Sequence, residues 1–130
     1  MAGNPLTHLP GMTENLERVE TRLAESVQAD DDFLTEVASH LIKAGGKRVR
    51  PTLTMAAALS AHGELGGATE ESVLGGVSVE LVHLGSLYHD DVMDDATTRR
   101  TVESVNARWG NLKAILAGDF LLARASEIAA

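Results

Sequence analysis

Four aspartates, Asp90, Asp91, Asp94 and Asp95, fall within six residues of the stretch ELVHLGSLYHDDVMDDATTRR, Glu80 to Arg100, and two adjacent arginines, Arg99 and Arg100, close it. Carboxylate oxygens on short stems suit hard cations, and guanidinium groups grip phosphate oxygens through a two-pronged fork. Together they read as a site for a metal-bound phosphate compound. Val73, Val77, Leu81, Leu84 and Tyr88 recur at helical intervals, which puts the aspartates near the C-terminal end of a long helix. That position is unfavourable for them. Asp is a poor helix former, carboxylates one turn apart repel, and the negative end of the helix dipole opposes each charge by about 0.3–1 kcal/mol. A chain that accepts these penalties together is organised to bind cations. At about 100° per residue, His83, Asp90 and Asp94 lie within roughly 40° of one line, so an imidazole and two carboxylates share a helix face. Mg2+, which takes one or two carboxylates and completes its shell with phosphate oxygens and water, is the expected ion.

A second charged cluster, GGKRVRP, runs from Gly45 to Pro51. Its glycines allow close backbone approach, Lys47, Arg48 and Arg50 supply positive charge, and Pro51 suits the first residue of a new helix. A helix N-terminus beside such cations is an anion site, although alone the motif reads more readily as a solvated basic loop. By contrast, Asp30, Asp31 and Asp32 read as the cap of a helix rather than as ligands.

The elements that carry these clusters are helical. Residues 1–12, with Pro5, Pro10 and Gly11, read as a flexible lead-in. Thr13 is the expected cap of a first helix with Leu16, Val19, Leu23 and Val27 in one stripe. A second helix carries Phe33, Leu34, Val37, Ala38, Leu41 and Ile42 and stops at Gly45-Gly46. A third runs from Pro51 to Gly63, and a loop, ELGGATEES, leads to Thr69 as the cap of the long fourth helix. TVESVNARWGN reads as a connection, and a fifth helix begins near Asn111 and runs to the last residue without a stop signal.

Only four of the 130 residues are aromatic, which favours helices over sheets. The net charge of −8 argues against binding to nucleic acid or an anionic membrane. With no cysteine, thiolate metal sites and cysteine nucleophiles are excluded, and a reducing cytoplasm is compatible. No apolar stretch has the length of a transmembrane span.

GGKRVRP, ELVH, HDDVMDD followed by RR, and AGDFLLARA, in this order and spacing, resemble the trans-isoprenyl diphosphate synthases of the polyprenyl synthetase family over Leu34 to Ala130. The resemblance implies an all-α, antiparallel helix bundle of the isoprenoid synthase type around a deep cavity. About five helices of it fall here, residues 13–130 being the N-terminal portion of the domain. It implies a prenyltransferase of the cytoplasm, acting as a homodimer or with a heteromeric partner, that condenses isopentenyl diphosphate with an allylic diphosphate. Lys47, Arg50, His83 and Arg100 match the binders of isopentenyl diphosphate. Asp90 and Asp94 match the Mg2+ ligands of the first Asp-rich motif, and Arg99 matches the arginine on the allylic diphosphate. Asp91 and Asp95 hold flanking positions of lower rank.

The implied reaction needs no protein nucleophile. Cations neutralise the departing diphosphate, the allylic C–O bond ionises, and the isopentenyl double bond attacks the carbocation before a proton is lost. Members of the family plug the cavity with bulky aromatics four or five residues before the first aspartate. Here those positions are Ser86 and Gly85, which implies a long-chain product, with Tyr88 as a nearby obstruction. The second Asp-rich motif of the family does not occur in these 130 residues. An alternative is therefore a catalytically incomplete or non-catalytic subunit that lends a half-site to a partner chain. A terpene cyclase is the third reading, and GGKRVRP with Arg100 argues against it because a cyclase has no second diphosphate to hold.

Overall fold

The computed structural model describes residues 3–62 and 68–130. Its centre is α4, Glu70–Met93, which packs most extensively on α6, Asn111–Ala129, and then on α3, Val49–His62, and α1, Met12–Ser26. The buried stripe Val73, Val77, Leu81, Leu84, Leu87 and Tyr88 makes α4 the axis of the core. Leu81 and Leu84 are fully buried, and each such burial contributes about 1.5–3 kcal/mol. Thr69 caps α4 as expected, its hydroxyl accepting from the Ser72 N–H. Small residues let the neighbours close in. A Cβ at Gly76 would stand 3.1 Å from Pro51 Cα on α3, and one at Gly85 would stand 3.0 Å from the Gly118 carbonyl oxygen on α6.

Helix α2, Asp32–Ala44, begins where Asp31 accepts from the Phe33 and Leu34 N–H groups, and it ends at Gly45, φ 83°. The acidic trio is thus capping. The all-α class is as expected, with two local differences in the elements. First, Gly11, φ 74°, caps α1 in place of Thr13, and Met12 is wholly buried as its first residue. Within the segment read as a lead-in, Pro5–His8 forms a 3-10 turn and Asn4 is buried, donating to the Lys47 carbonyl and the Thr52 hydroxyl at 2.9 Å each.

Second, the stretch read as a connection after Arg100 holds structure too short to leave a periodic signal. Strands β1, Thr98–Arg99, and β2, Val102–Glu103, form an antiparallel hairpin, and the single-turn helix α5, Val105–Trp109, follows from a Ser104 cap. The described α-helices therefore number six, α5 being the one not read from the sequence. Pro51 is the third residue of α3, and the expected stop at Gly63 and the loop through Gly67 lie outside the described residues. Trp109 is an anchor between elements, edge-on to Phe33 and His40 with ring centroids 6.4 and 5.1 Å away. Among the described residues no helix is long and apolar enough to cross a membrane.

Candidate active site

Helix α4 carries charged residues along two lines. Glu80 and Asp91 share the inward line with Leu84 and are each 2% exposed, whereas His83, Asp90 and Asp94 follow the outward line. A carboxylate on the inward line needs a cation, and the long-range packing supplies one to each. Asp91 grips Arg99 through three contacts, at 2.6, 3.1 and 3.2 Å. These bonds raise the Arg99 pKa above the ordinary arginine value. Asn106 fixes the same corner, its amide donating to the carbonyls of Asp91 and Ala96 at 3.2 and 2.9 Å.

Arg48 is turned inward as well. Its backbone is left-handed, φ 52°, and its fully buried guanidinium meets Glu20 at 2.6 and 3.3 Å and Glu80 at 3.2 Å. Of the three cations in GGKRVRP, Arg48 is thus neutralised, while Lys47 and Arg50 remain exposed. A non-glycine residue in the left-handed region costs about 1–2 kcal/mol, which the two carboxylates offset.

The hairpin separates the two arginines. Arg100 and Thr101 have φ 52° and 66°, the pair of left-handed residues that a tight two-residue turn requires, between the paired Arg99 and Val102. Arg99 is directed to Asp91, and Arg100 donates to the carbonyls of Leu41 and Gly45 at the end of α2. Lys47, Arg50, His83 and Arg100 therefore border one cavity of about 350 Å3, with Gly46, Arg48, Val49 and Glu80. All four expected isopentenyl diphosphate residues converge there from three elements and a loop. Burial, then Arg50 and Arg100, lower the His83 pKa to about 4, so the ring is a neutral hydrogen-bonding group at pH 7. Burial and the neighbouring Arg48 lower Arg100 too, but a guanidinium keeps its charge at neutral pH.

Asp90 is half-buried and Asp94 exposed at the end of α4, and among the described residues neither carboxylate pairs with a cation. No group of three His, Cys, Asp or Glu able to hold a metal occurs among them. Two free oxygen donors one turn apart still fit Mg2+, which fills its remaining positions with phosphate oxygens and water. Met93, next to Asp94, is 73% exposed.

The two chain-length positions lie on different sides of α4. Gly85 faces Gly118 and Leu122 of α6, so its missing side chain serves helix contact, and a larger residue there would press on α6. Ser86 is half-buried, its hydroxyl donating to the His83 carbonyl. Tyr88 is 1% exposed, and its hydroxyl donates to the carbonyls of Val37 and Ala38 on α2. Val79 and Val82 are exposed and apolar on the outward side of α4, below Asp90.

The sequence reading assigns no role to Asn4, Glu20, Glu80 and Asn106, and it does not show that Asp91 holds Arg99. For Glu80 and Asp91 the helical arithmetic carries the signal, since both fall in line with Leu84. Asp119 and His89, which had no assigned role, pair with each other at 3.1 Å across α4 and α6.

The polyprenyl synthetase family profile matches residues 31–130. The chain is 47% identical over 114 residues to a nonaprenyl diphosphate synthase of Mycobacterium tuberculosis, covering 87% of this chain and 33% of that one. It is 40% identical over 116 residues to heptaprenyl diphosphate synthase component 2 of Geobacillus stearothermophilus, covering 89% and 35%. Among solved structures, a polyprenyl synthase from Caulobacter crescentus, complexed with calcium and isoprenyl diphosphate, superposes with a TM-score of 0.85 at 34% identity over 99% of this chain and 38% of that one. A decaprenyl diphosphate synthase from Rhodobacter capsulatus gives 0.84 at 35% identity, over 95% and 38%. The chain thus spans about a third of the length of the curated relatives it matches. A helical scaffold that neutralises Arg48 and Arg99 internally, leaves a four-residue basic cavity open, and carries this match over most of its length belongs to the polyprenyl synthetase family.

Proposed function

We propose that the protein condenses isopentenyl diphosphate with an allylic diphosphate to build a long-chain polyprenyl diphosphate, and that these residues carry the isopentenyl diphosphate cradle and the first acidic pair. The observation that carries this reading is the presence of two anion-handling groups on one helix. His83 of the basic cavity and Asp90 of the acidic pair are seven residues apart, or about 10 Å along the axis. Two diphosphates held at that separation bring a nucleophilic double bond and an ionising carbon together.

Lys47, Arg50 and Arg100 balance the charge of one diphosphate, and neutral His83 adds a hydrogen bond. Asp90 and Asp94 would hold the metal, which when bound supplies charge neutralisation for the leaving diphosphate. Arg99, oriented by Asp91 through Nε and Nη2, leaves its Nη1 to donate to that group, so the departing oxygen meets a donor already in place. Exposed Val79 and Val82 give the growing chain an apolar wall, and the nonaprenyl, heptaprenyl and decaprenyl relatives support a long product. Assembly with a second copy or a different partner belongs to the reading. Exposed Leu112, Ile115 and Leu116 on α6, and the name component 2 of the Geobacillus relative, support it.

Mg2+-dependent incorporation of labelled isopentenyl diphosphate onto farnesyl diphosphate tests the activity, with Mg2+-dependent binding of pyrophosphate measured alongside. Asp90→Asn with Asp94→Asn should abolish both. The same pair should stabilise the metal-free chain by about 0.6–2 kcal/mol, because two charges leave the negative end of α4. Unchanged pyrophosphate binding in the double variant would remove Asp90 and Asp94 from the metal site.

A further inference from the structure

The reaction proposed above leaves one buried carboxyl of the cradle unused. Glu80 is 2% exposed, borders the same cavity as Lys47, Arg50, His83 and Arg100, and its Oε2 has no hydrogen-bond partner among the described residues. Its Oε1 accepts from Arg48 at 3.2 Å. Arg48 is already neutralised by Glu20, which it meets at 2.6 and 3.3 Å. The Glu20–Arg48–Glu80 cluster therefore carries one net negative charge with Glu80 ionised and none with Glu80 protonated. An uncompensated anion beside an anion site repels the ligand. One proton removes that repulsion and converts an idle acceptor into a donor.

The charges around Glu80 sharpen the argument. Glu20 faces the cluster from α1, Lys47 and Arg48 from the loop before α3, Arg50 from α3, His83 from α4 and Arg100 from the hairpin. Burial raises the Glu80 pKa, and Arg48, Arg100 and Arg50 pull it back down. Arg100 and Arg50 are also the cations that a bound diphosphate would neutralise. Their hold on the ionised carboxylate weakens when the ligand arrives, while the ligand adds its own negative charge. Both changes drive a proton onto Glu80.

We propose that Glu80 is a proton-carrying ligand of the cradle: binding of a diphosphate is coupled to uptake of one proton by Glu80, whose Oε2–H then donates a hydrogen bond to a phosphate oxygen. The inference rests on the reading of this cavity as the isopentenyl diphosphate site. It makes Glu80 a specificity element for diphosphate anions, since the proton is stabilised only when the ligand cancels the surrounding guanidinium charge.

The test is calorimetric titration of the 130-residue chain with isopentenyl diphosphate at a pH of about 8, above the second pKa of a phosphate monoester, in buffers of different ionisation enthalpy. The slope against buffer enthalpy counts protons. The expected result is one proton taken up, lost in Glu80→Gln and kept in His83→Gln, with affinity falling about tenfold per pH unit in the wild type and flat in Glu80→Gln. A protonated-carboxyl band should appear on binding in the infrared difference spectrum of the wild type. Binding without proton uptake, or uptake that survives in Glu80→Gln, overturns the role of Glu80 and leaves the cradle standing. Absence of binding overturns the cradle and the inference with it. If Glu80→Gln loses its helical fold, the wild-type infrared spectrum decides, and a missing carboxyl band refutes the proposal.

Discussion

Asp91 and Arg99 should be the most tightly coupled pair between the acidic motif and the hairpin, and a double-mutant cycle measures that coupling. The side chains are 2% and 31% exposed, and they share three charge-assisted contacts between 2.6 and 3.2 Å. The unequal burial predicts unequal single variants. Arg99→Met strands a buried carboxylate, at a cost of about 3–5 kcal/mol. Asp91→Asn leaves an arginine that reaches water, at a cost of about 1–3 kcal/mol. With both charges gone the second loss is no longer incurred, so the double variant should cost about as much as Arg99→Met or less. The resulting coupling energy is about 2 kcal/mol. Urea unfolding followed by far-UV circular dichroism gives all four stabilities from the midpoint and slope. A coupling below about 0.5 kcal/mol, or an Arg99→Met variant no less stable than Asp91→Asn, would refute the idea that a buried ion pair anchors the hairpin.

Two further outcomes follow from the same geometry. The His83 pKa is lowered from 6.5 to about 4 in the folded protein, so the unfolded chain takes up this proton first as pH falls. The contribution is therefore present above pH 6.5 and lost as pH drops toward 4. At a half-buried site, solvent screening leaves about 1–2 kcal/mol of it. His83→Gln should flatten that part of the stability profile, and parallel profiles for the two proteins would contradict the assignment. On α6, a Cβ at Gly118 would stand 2.5 Å from His89 Nε2, which bonds the Ile115 carbonyl and Asp119 at 3.1 Å each. Gly118→Ala should cost about 1–3 kcal/mol by overpacking, despite the better helix propensity of alanine. A rise in the thermal midpoint would show that the α4–α6 contact is looser than the structure indicates.

Much of the site was legible before any coordinates because a helix converts spacing into direction. The apolar register from Val73 to Tyr88 already aligned His83, Asp90 and Asp94, and these three do lie on the outward line of α4. The same register aligned Glu80 and Asp91 with Leu84, and applying it to every charged residue would have marked both as buried acids in need of cations. Capping at Asp31 and Thr69 was readable because those bonds are local, closing within three residues. The hairpin and α5 were not, since two-residue strands and a single turn carry too few positions for a periodic pattern.

What the sequence determined by itself is the chemistry on offer and the face of α4 that offers it, because side-chain type and helical pitch are properties of the chain alone. Which charges remain available was decided only by tertiary structure. Arg48 is consumed by Glu20 and Glu80, 28 and 32 residues away, and Arg100 is steered to the Gly45 carbonyl, 55 residues away. Gly85, similarly, shows its role only once α6 lies against it. Ion pairing and close packing depend on which distant segments meet in a low-dielectric interior, where a charge is either matched or expensive. That matching separates an open anion cavity from a run of basic residues.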